Sequence, residues 1–553
     1  MKMRNLWLMG IALLVLSVGV VPVAAQNNPD CPQEGGTFVL GVDTYLGNID
    51  PPKSPHDWVF YGLTNLYSMM FRLNFGDPTG DIVETWEISE DGTVYTFHLR
   101  DNIYWHDGNE IFAEGEARRV DAHDVVYTLE RQVALQEEGF NWPPDLLQGI
   151  ESVVALDDDT VVLTLTGPNP VMFNRGRGWS ATGIVAREAV EYWGEDYGLT
   201  GMLGSGPFEF VSYVSEEELV LRRNEDYYIQ PCFDEFITRV IKDTDAGMIA
   251  LEAGDVDWWG AVVPGDYVER FQDSEEITLI NFGCPVETRL MMTVNTPPFD
   301  DIRFREALVR ARDGEAVNAA LRGATHVKGA GTAGPGVPGY VEGLYDEFYT
   351  HDLDRALALL DEIGIVDSDG DGWREWNGED ITDASGNVIQ ASGANLVLPI
   401  HHIAGYPFPE YAAAMADAGG NVGIQVESVQ ADGATITQYT RDGKWGMYLN
   451  AGWCSDGGTN GLWGRAGWSE PLGYVDEPLY ELLDQAAVEI DRAKREELLQ
   501  AATRHTAANY YGNSWGYFNI YTAKRNTVKN FNGGWWTVDL ATPDNLVWLD
   551  EGE

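Results

Sequence analysis

Residues 93–100, TVYTFHLR, alternate in character: Tyr95, Phe97 and Leu99 fall on one side, and Thr96, His98 and Arg100 on the other. TVVLTL at 160–165 repeats the period of two, so both stretches are expected as half-buried antiparallel strands. Between them DAHDVVYTLER (121–131) reads as a helix that starts near Asp121 or Asp124. The pattern changes further along. DRALALLDEIG (354–364) carries apolar residues at helical spacing, with Gly364 as its stop signal. NLVLPIH (395–401) is a compact apolar strand, a helix through about 410–418 follows, and VGIQVESV (422–429) is a second strand. Strand, helix, strand in that order implies an α/β lobe. Pro478–Ile490 and Asp491–His505 predict a helical pair, and FITRVI (236–241) and GMYLNA (446–451) predict further strands.

The start of the chain bears on the compartment. Lys2 and Arg4 precede an apolar stretch from Leu6 to Val21, and Val23-Ala24-Ala25 offers small residues before Gln26. That is the layout of a cleavable secretory signal over 1–25. The short apolar run ending at Pro22 argues against a membrane anchor. Cys31 follows Asn-Pro-Asp, not the small-residue run of a lipoprotein cleavage box, so no lipid anchor is expected. The expected location is the periplasm or the exterior of the cell. More than 500 of the 553 residues remain, beyond the size at which one core stops growing, so at least two lobes are expected. A formal net charge of −53 repels nucleic acid and anionic lipid, which removes both as expected partners. The four cysteines, Cys31, Cys232, Cys284 and Cys454, suggest two disulfides in an oxidising compartment, with three pairings open. No CxxC occurs, so no zinc site is expected.

Two catalytic-looking motifs fail on their surroundings. Gly512-Asn513-Ser514-Trp515-Gly516 matches the nucleophile elbow GxSxG, which needs a strand before it, a helix after it and a later histidine. Here a helical segment precedes, the strand-like YFNIY (517–521) follows, and the last histidine, His505, lies upstream. Gly329-Ala330-Gly331-Thr332-Ala333-Gly334 matches GxGxxG, but no strand feeds it, and Pro335 and Pro338 interrupt the helix that a pyrophosphate would need. A secreted hydrolase is therefore a remote alternative. No cofactor is required by any motif. The run Asp367-Ser368-Asp369-Gly370-Asp371-Gly372 is different. Acids at positions 1, 3 and 5 with glycine at 6 curl oxygen ligands around Ca²⁺, and Glu375 falls at position 9. Position 12 is Gly378, where an EF-hand carries glutamate. Asp367, Asp369, Asp371 and Glu375 are the candidate calcium ligands.

Four separated blocks bring a known family into view. ETWEISEDGTVYTFHLRDNIYWHDG (84–108) is extended by Val125-Val126-Tyr127 and Glu130-Arg131. GSGPFEFVSY (204–213) continues to LRRNEDYY (221–228). VNTPPFDDIRFREALVRARD spans 294–313, and the helix DRALALLDEIG is followed downstream by GWCSD (452–456). In this order the chain resembles the family 5 extracellular solute-binding proteins of ABC importers, which include peptide and oligopeptide binders. It departs from them between WHDG and VVYTLER, where IFAEGEARRVDAHD is longer than the usual connection.

The resemblance implies an α/β, two-lobed periplasmic-binding-protein-like fold of the large, cluster C type, with an extra subdomain in lobe I. It places lobe I at 26–285 with the subdomain at about 58–195, lobe II at 286–515, and a return to lobe I at 516–553. It implies a monomer that captures a peptide or oligopeptide and delivers it to a membrane permease, with no catalysis. An oligosaccharide is the alternative ligand, because Trp445, Trp453, Trp463 and Trp468 suit stacking on sugar rings. A nickel-binding branch is hinted at only by His401-His402, of which one, His402, is the candidate to face the cleft. Ligands of α/β sheets collect beyond the carboxyl ends of strands, where His401-His402 follows NLVLPI and GWCSDGG follows GMYLNA. Asp456 matches the aspartate by which peptide-binding relatives hold the ligand's α-ammonium. Trp453 offers a flat apolar face, and Asn450 and Tyr45 complete the ligand-binding set. A family-like disulfide Cys284–Cys454 would staple the GWCSD loop to the entry into lobe II. Cys31 and Cys232, each just before a lobe I strand, form the other expected pair.

Overall fold

The structure, a computed structural model, describes residues 31–44, 47–53, 59–72, 79–137, 149–170, 183–281, 283, 285–329, 331–404, 407–452, 462–465, 467, 469–531, 540–542 and 545–550. The expected signal segment (1–25), Tyr45, Cys284, Trp453, Cys454, Asp456 and Trp468 lie outside them.

Three sheets organise the chain. Strand β1 (Thr37–Val42) opens the first. A four-stranded antiparallel sheet follows, made from β2 (Val83–Ile88), β3 (Val94–Leu99), β4 (Ile150–Asp157) and β5 (Thr160–Leu165), in spatial order β2-β3-β5-β4. The alternation of TVYTFHLR and TVVLTL appears as expected, with Tyr95, Phe97, Leu99, Val161, Leu163 and Leu165 buried. Helix α1 (Ala122–Glu137) joins β3 to β4 and runs further than the sequence pattern indicates. Asp121 is its cap, accepting from His123 N at 2.8 Å, whereas Asp124 takes both Nη groups of Arg118 at 2.6 and 2.7 Å.

The chain then completes the first sheet with β6 (Phe208–Val214), β7 (Glu218–Arg223), β8 (Glu235–Val240), helix α2 (Thr244–Ala253), β9 (Trp258–Trp259), helix α3 (Gly265–Phe271) and β10 (Ile277–Asn281). Cys31 and Cys232 are joined, with Cα atoms 5.6 Å apart, which ties the approach to β1 to the approach to β8.

The second sheet starts with β11 (Val286–Met292), helices α4 (Ile302–Ala311) and α5 (Gly314–Arg322), and β12 (His326–Val327). Helix α6 (Leu353–Glu362), β13 (Val397–His402), α7 (Phe408–Asn421), β14 (Gln425–Gln430) and β15 (Met447–Gly452) follow. Helices α8 (Glu477–Val488) and α9 (Arg492–Ala508) precede β16 (Asn513–Phe518), and β17 (Tyr521–Arg525) returns to the first sheet. The orders are β10-β17-β9-β1-β8-β7-β6 and β12-β16-β11-β15-β13-β14. Because β16 pairs with β11, the second sheet extends through Phe518, past the expected end of its lobe at 515.

Acidic residues start the helices of this half. Asp301, Asp313, Asp352, Asp476 and Asp491 each accept a backbone N–H of the first turn, at 2.8 to 3.1 Å. Each such cap contributes about 1 kcal/mol. Gly364, at φ +80°, ends the α6 segment in the left-handed region. Both faces of the second sheet are covered. Leu290, Met292, Leu398, Ile400, Met447 and Leu449 pack with α4, α6 and α7, while Met291 and Tyr448 pack with Leu479, Leu483 and Ala502 of α8 and α9. Among the described residues no helix is long and apolar enough to cross a membrane.

Candidate functional site

The two larger sheets are joined by two neighbouring crossings. Residues 282–285 lead from β10 to β11, and Asn519-Ile520 leads from β16 to β17. Their ends are neighbours, since Asn281 pairs with Tyr521 on one sheet and Val286 with Phe518 on the other. The parallel strands β13 and β15 end at this same edge, because antiparallel β15 brings Gly452 opposite Glu287 at the start of β11. The carboxyl ends that sequence reasoning marked for ligand therefore face the crossings. Beside them lies a cleft of about 370 Å³ walled by Pro264 and Glu269 of the first half, Leu321 and Arg322 of the second, and Phe518 and Asn519 of the crossing. The Arg322 guanidinium lies 3.5 Å from the Phe518 ring centroid and donates to Thr288 Oγ1 at 3.2 Å. Among the described residues, neither Asn450 nor His402 lines that cleft.

Asn450, half-buried on β15, stands directly opposite Arg289 of β11. His402 does not face open space. It is fully buried, with Nδ1 2.9 Å from Ile403 O and Nε2 2.7 Å from Ser428 Oγ. A carbonyl only accepts, so Nδ1 carries the proton and the Nε2 lone pair receives the serine hydroxyl. Neither nitrogen is left for a ligand or a metal. His401, on the opposite face, is also buried. Its Nε2 lies 3.3 Å from Trp445 O and its ring 4.9 Å from the Tyr448 ring centroid. Burial pushes its pKa down to about 4, which keeps it neutral. The expectation that the histidines alternate between core and cleft fails because helices cover both faces of β13.

Trp445 and Trp463, expected around the pocket, are core residues. Trp445 Nε1 donates to Pro297 O at 3.0 Å, and Trp463 packs on Tyr474 with ring centroids 5.0 Å apart. Ser514 of the GxSxG motif is buried within β16 and accepts from Gly516 N at 3.1 Å. In the GxGxxG segment residues 331–334 form neither helix nor strand, and the Tyr517 hydroxyl lies 2.7 Å from Gly331 O and 3.1 Å from Ala333 O.

The acidic loop brings Asp367, Asp369 and Glu375 together, each with a carboxylate oxygen within 4.8 Å of the others. Glu375 is buried and accepts from Ser368 N at 2.9 Å. Asp371 turns away from the group: its oxygens accept from Trp373 N at 2.8 Å and Asn395 Nδ2 at 3.0 Å. Three of the four candidate calcium ligands therefore converge.

Sequence reasoning passed over Glu287 and Arg289. Their signal was present: a charged pair two residues apart inside VETRLMMTV, an otherwise buried strand. Arg289 Nε donates to Glu287 Oε2 at 2.8 Å, with side chains 9 % and 3 % exposed. Burial raises the Glu287 carboxyl above its ordinary value, against the pull of the Arg289 charge.

Comparison with known proteins places this geometry in a wider group. The profile of the bacterial extracellular solute-binding proteins, family 5 Middle, matches residues 77–464. The dipeptide-binding protein of Escherichia coli is 27% identical over 314 residues, covering 53% of this chain and 56% of that protein. The heme-binding protein A of Haemophilus influenzae is 27% identical over 316 residues, covering 53% and 55%. The chain thus spans about half the length of these curated relatives. A periplasmic binding protein of Helicobacter pylori, associated with an ABC transporter and solved with the peptide STSA, superposes with a TM-score of 0.72 at 20% identity, covering 94% of this chain and 99% of that one.

Proposed function

The chain belongs to family 5 of the bacterial extracellular solute-binding proteins, and from that premise we propose that it captures a peptide or oligopeptide between two lobes and delivers it to the permease of an ABC importer. It catalyses no reaction in this reading and acts as an exported monomer. The observation that carries the proposal is the shared edge at which β13 and β15 end beside two adjacent crossings between the large sheets. Ligands of α/β sheets bind beyond carboxyl strand ends. A hinge of two short connections lets one half close on the other with few dihedral changes.

Asp456, four residues beyond the end of β15, holds the ligand ammonium in this account, and Trp453 packs on its side chains. A carboxylate enclosed in a closed cleft is costly unless paired, and a ligand ammonium supplies the partner. The oligosaccharide alternative draws less support, because two of its four tryptophans are core residues. Native mass spectrometry of the purified protein tests the reading. A co-purified peptide mass released on denaturation is expected; a sugar mass, or turnover of added peptides, would overturn it.

A further inference from the structure

Arg312 directly follows the last residue of α4 and is only 3 % exposed. Among the described residues, the titratable groups that act on it are three tyrosines, Tyr345, Tyr349 and Tyr411, all neutral at ordinary pH. The carboxylates of neighbouring segments are engaged elsewhere. Asp313 accepts from Ala316 N at 3.1 Å as the cap of α5, Glu315 Oε1 lies 2.8 Å from His326 Nε2, and Glu287 accepts from Arg289. Burial pulls the Arg312 guanidinium down to about 10, so it still carries its charge at neutral pH. A buried charge is costly unless it is paired.

Its hydrogen bonding shows the same deficit. Nη2 donates to Ser514 O at 2.9 Å, and Cζ lies 4.2 Å from the Trp515 ring centroid. Two donors of these stacked groups, Arg312 Nη1 and Trp515 Nε1, are buried without a partner. The buried Tyr349 hydroxyl, on which the Arg312 charge acts, is a third. Buried N–H groups are nearly always satisfied. Guanidinium and indole N–H groups only donate, so the guest that suits them accepts, and an unpaired positive charge calls for a negative one. A water molecule accepts from the same groups but leaves the charge uncompensated. The guest is also small, because Trp515 is fully buried and packs on Tyr411 with ring centroids 5.3 Å apart. We propose that Arg312 and Trp515 bind a small inorganic anion of the halide class, chloride foremost, inside the second half of the molecule. The ion ties the end of α4 to β16, and the site is independent of the ligand-capture function proposed above.

The test uses the full-length protein dialysed into sodium methanesulfonate, whose bulk a closed site excludes, and titrated with sodium chloride or sodium bromide at fixed ionic strength. Thermal melting compares the wild type with Arg312→Met and Trp515→Phe. The first keeps the length of the side chain without its charge, a kind of replacement that buried charges commonly tolerate; the second keeps a ring and removes the N–H. Over a roughly hundredfold rise in halide the wild-type melting temperature should climb by about 2 °C or more, as mass action requires of an ion that binds only the folded state. Arg312→Met should abolish the climb, and Trp515→Phe should shrink it. Identical melting of the wild type in halide and in methanesulfonate overturns the inference, as does a climb that survives in Arg312→Met. If Arg312→Met does not fold, Trp515→Phe decides: an undiminished climb overturns the inference, and a reduced one upholds it. None of these results alters the peptide-capture reading.

Discussion

Gly452→Ala should damage this protein far more than a methyl group on a strand normally does. Backbone strain is not the cause; the added Cβ falls 1.5 Å from Arg289 Nη2, 2.3 Å from Cζ and 2.8 Å from Nε. The guanidinium is the mobile end of its side chain, so it is the group that moves, and moving it breaks the 2.8 Å bond to Glu287. Glu287, 3 % exposed, then remains buried with its partner displaced. Removing one member of a buried pair costs about 3–5 kcal/mol. Because Arg289 is displaced and not deleted, a loss of about 2–3 kcal/mol is expected. Chemical denaturation measures it, and the decisive comparison repeats Gly452→Ala in the E287Q/R289Q background. There the cost should fall below about 1 kcal/mol, giving a coupling of about 2 kcal/mol between residues in direct contact. Equal costs in both backgrounds would refute the account of Gly452 as the seat of the guanidinium.

Two further outcomes follow from other parts of the molecule. If Asp367, Asp369 and Glu375 hold calcium as a structural ion, excess chelator at fixed ionic strength should lower the melting temperature; an unchanged melting curve removes calcium from the account. Asp476 caps α8 and accepts from Tyr511 at 3.1 Å, and His505 Nε2 of α9 lies 2.8 Å from it. Burial opposes its ionisation, but the bonds from His505, Leu479 N and Tyr511 outweigh burial and hold its carboxyl below the usual 3.8. A depressed folded pKa means stability that is complete above 3.8 and lost as pH falls through the folded value. Denaturation midpoints should therefore drop more steeply below pH 4 in the wild type than in Asp476→Asn.

The strands and helices with a clean period were legible in the chain itself: TVYTFHLR, TVVLTL and the α6 segment closed by Gly364 lie where their patterns put them. Less regular elements were not. YFNIY reads as one strand, but the backbone breaks at Asn519-Ile520, where it crosses between sheets, and β16 begins earlier, at Asn513. Gly516, at φ +124°, sits where the β11–β16 register shifts, so a glycine that looks like loop is part of a bulged strand. Within the candidate site, the ends of β13 and β15 could be located from apolar runs, but side-chain direction could not. His402 and Trp463 went into cores because the second sheet is covered on both faces, which no single strand reveals. Arg289 escaped notice for the opposite reason. A charge in a strand reads as a solvent-facing position until the neighbouring strand shows a glycine opening beside it.

The central claim is that the edge following β15 captures a ligand ammonium, and calorimetry of Asp456→Asn against wild type, with a peptide the wild type binds, tests it most directly. The substitution keeps shape and removes charge. It should weaken peptide binding by about 2 kcal/mol, roughly thirtyfold. Unchanged affinity in Asp456→Asn would contradict the account and move the binding site away from this loop.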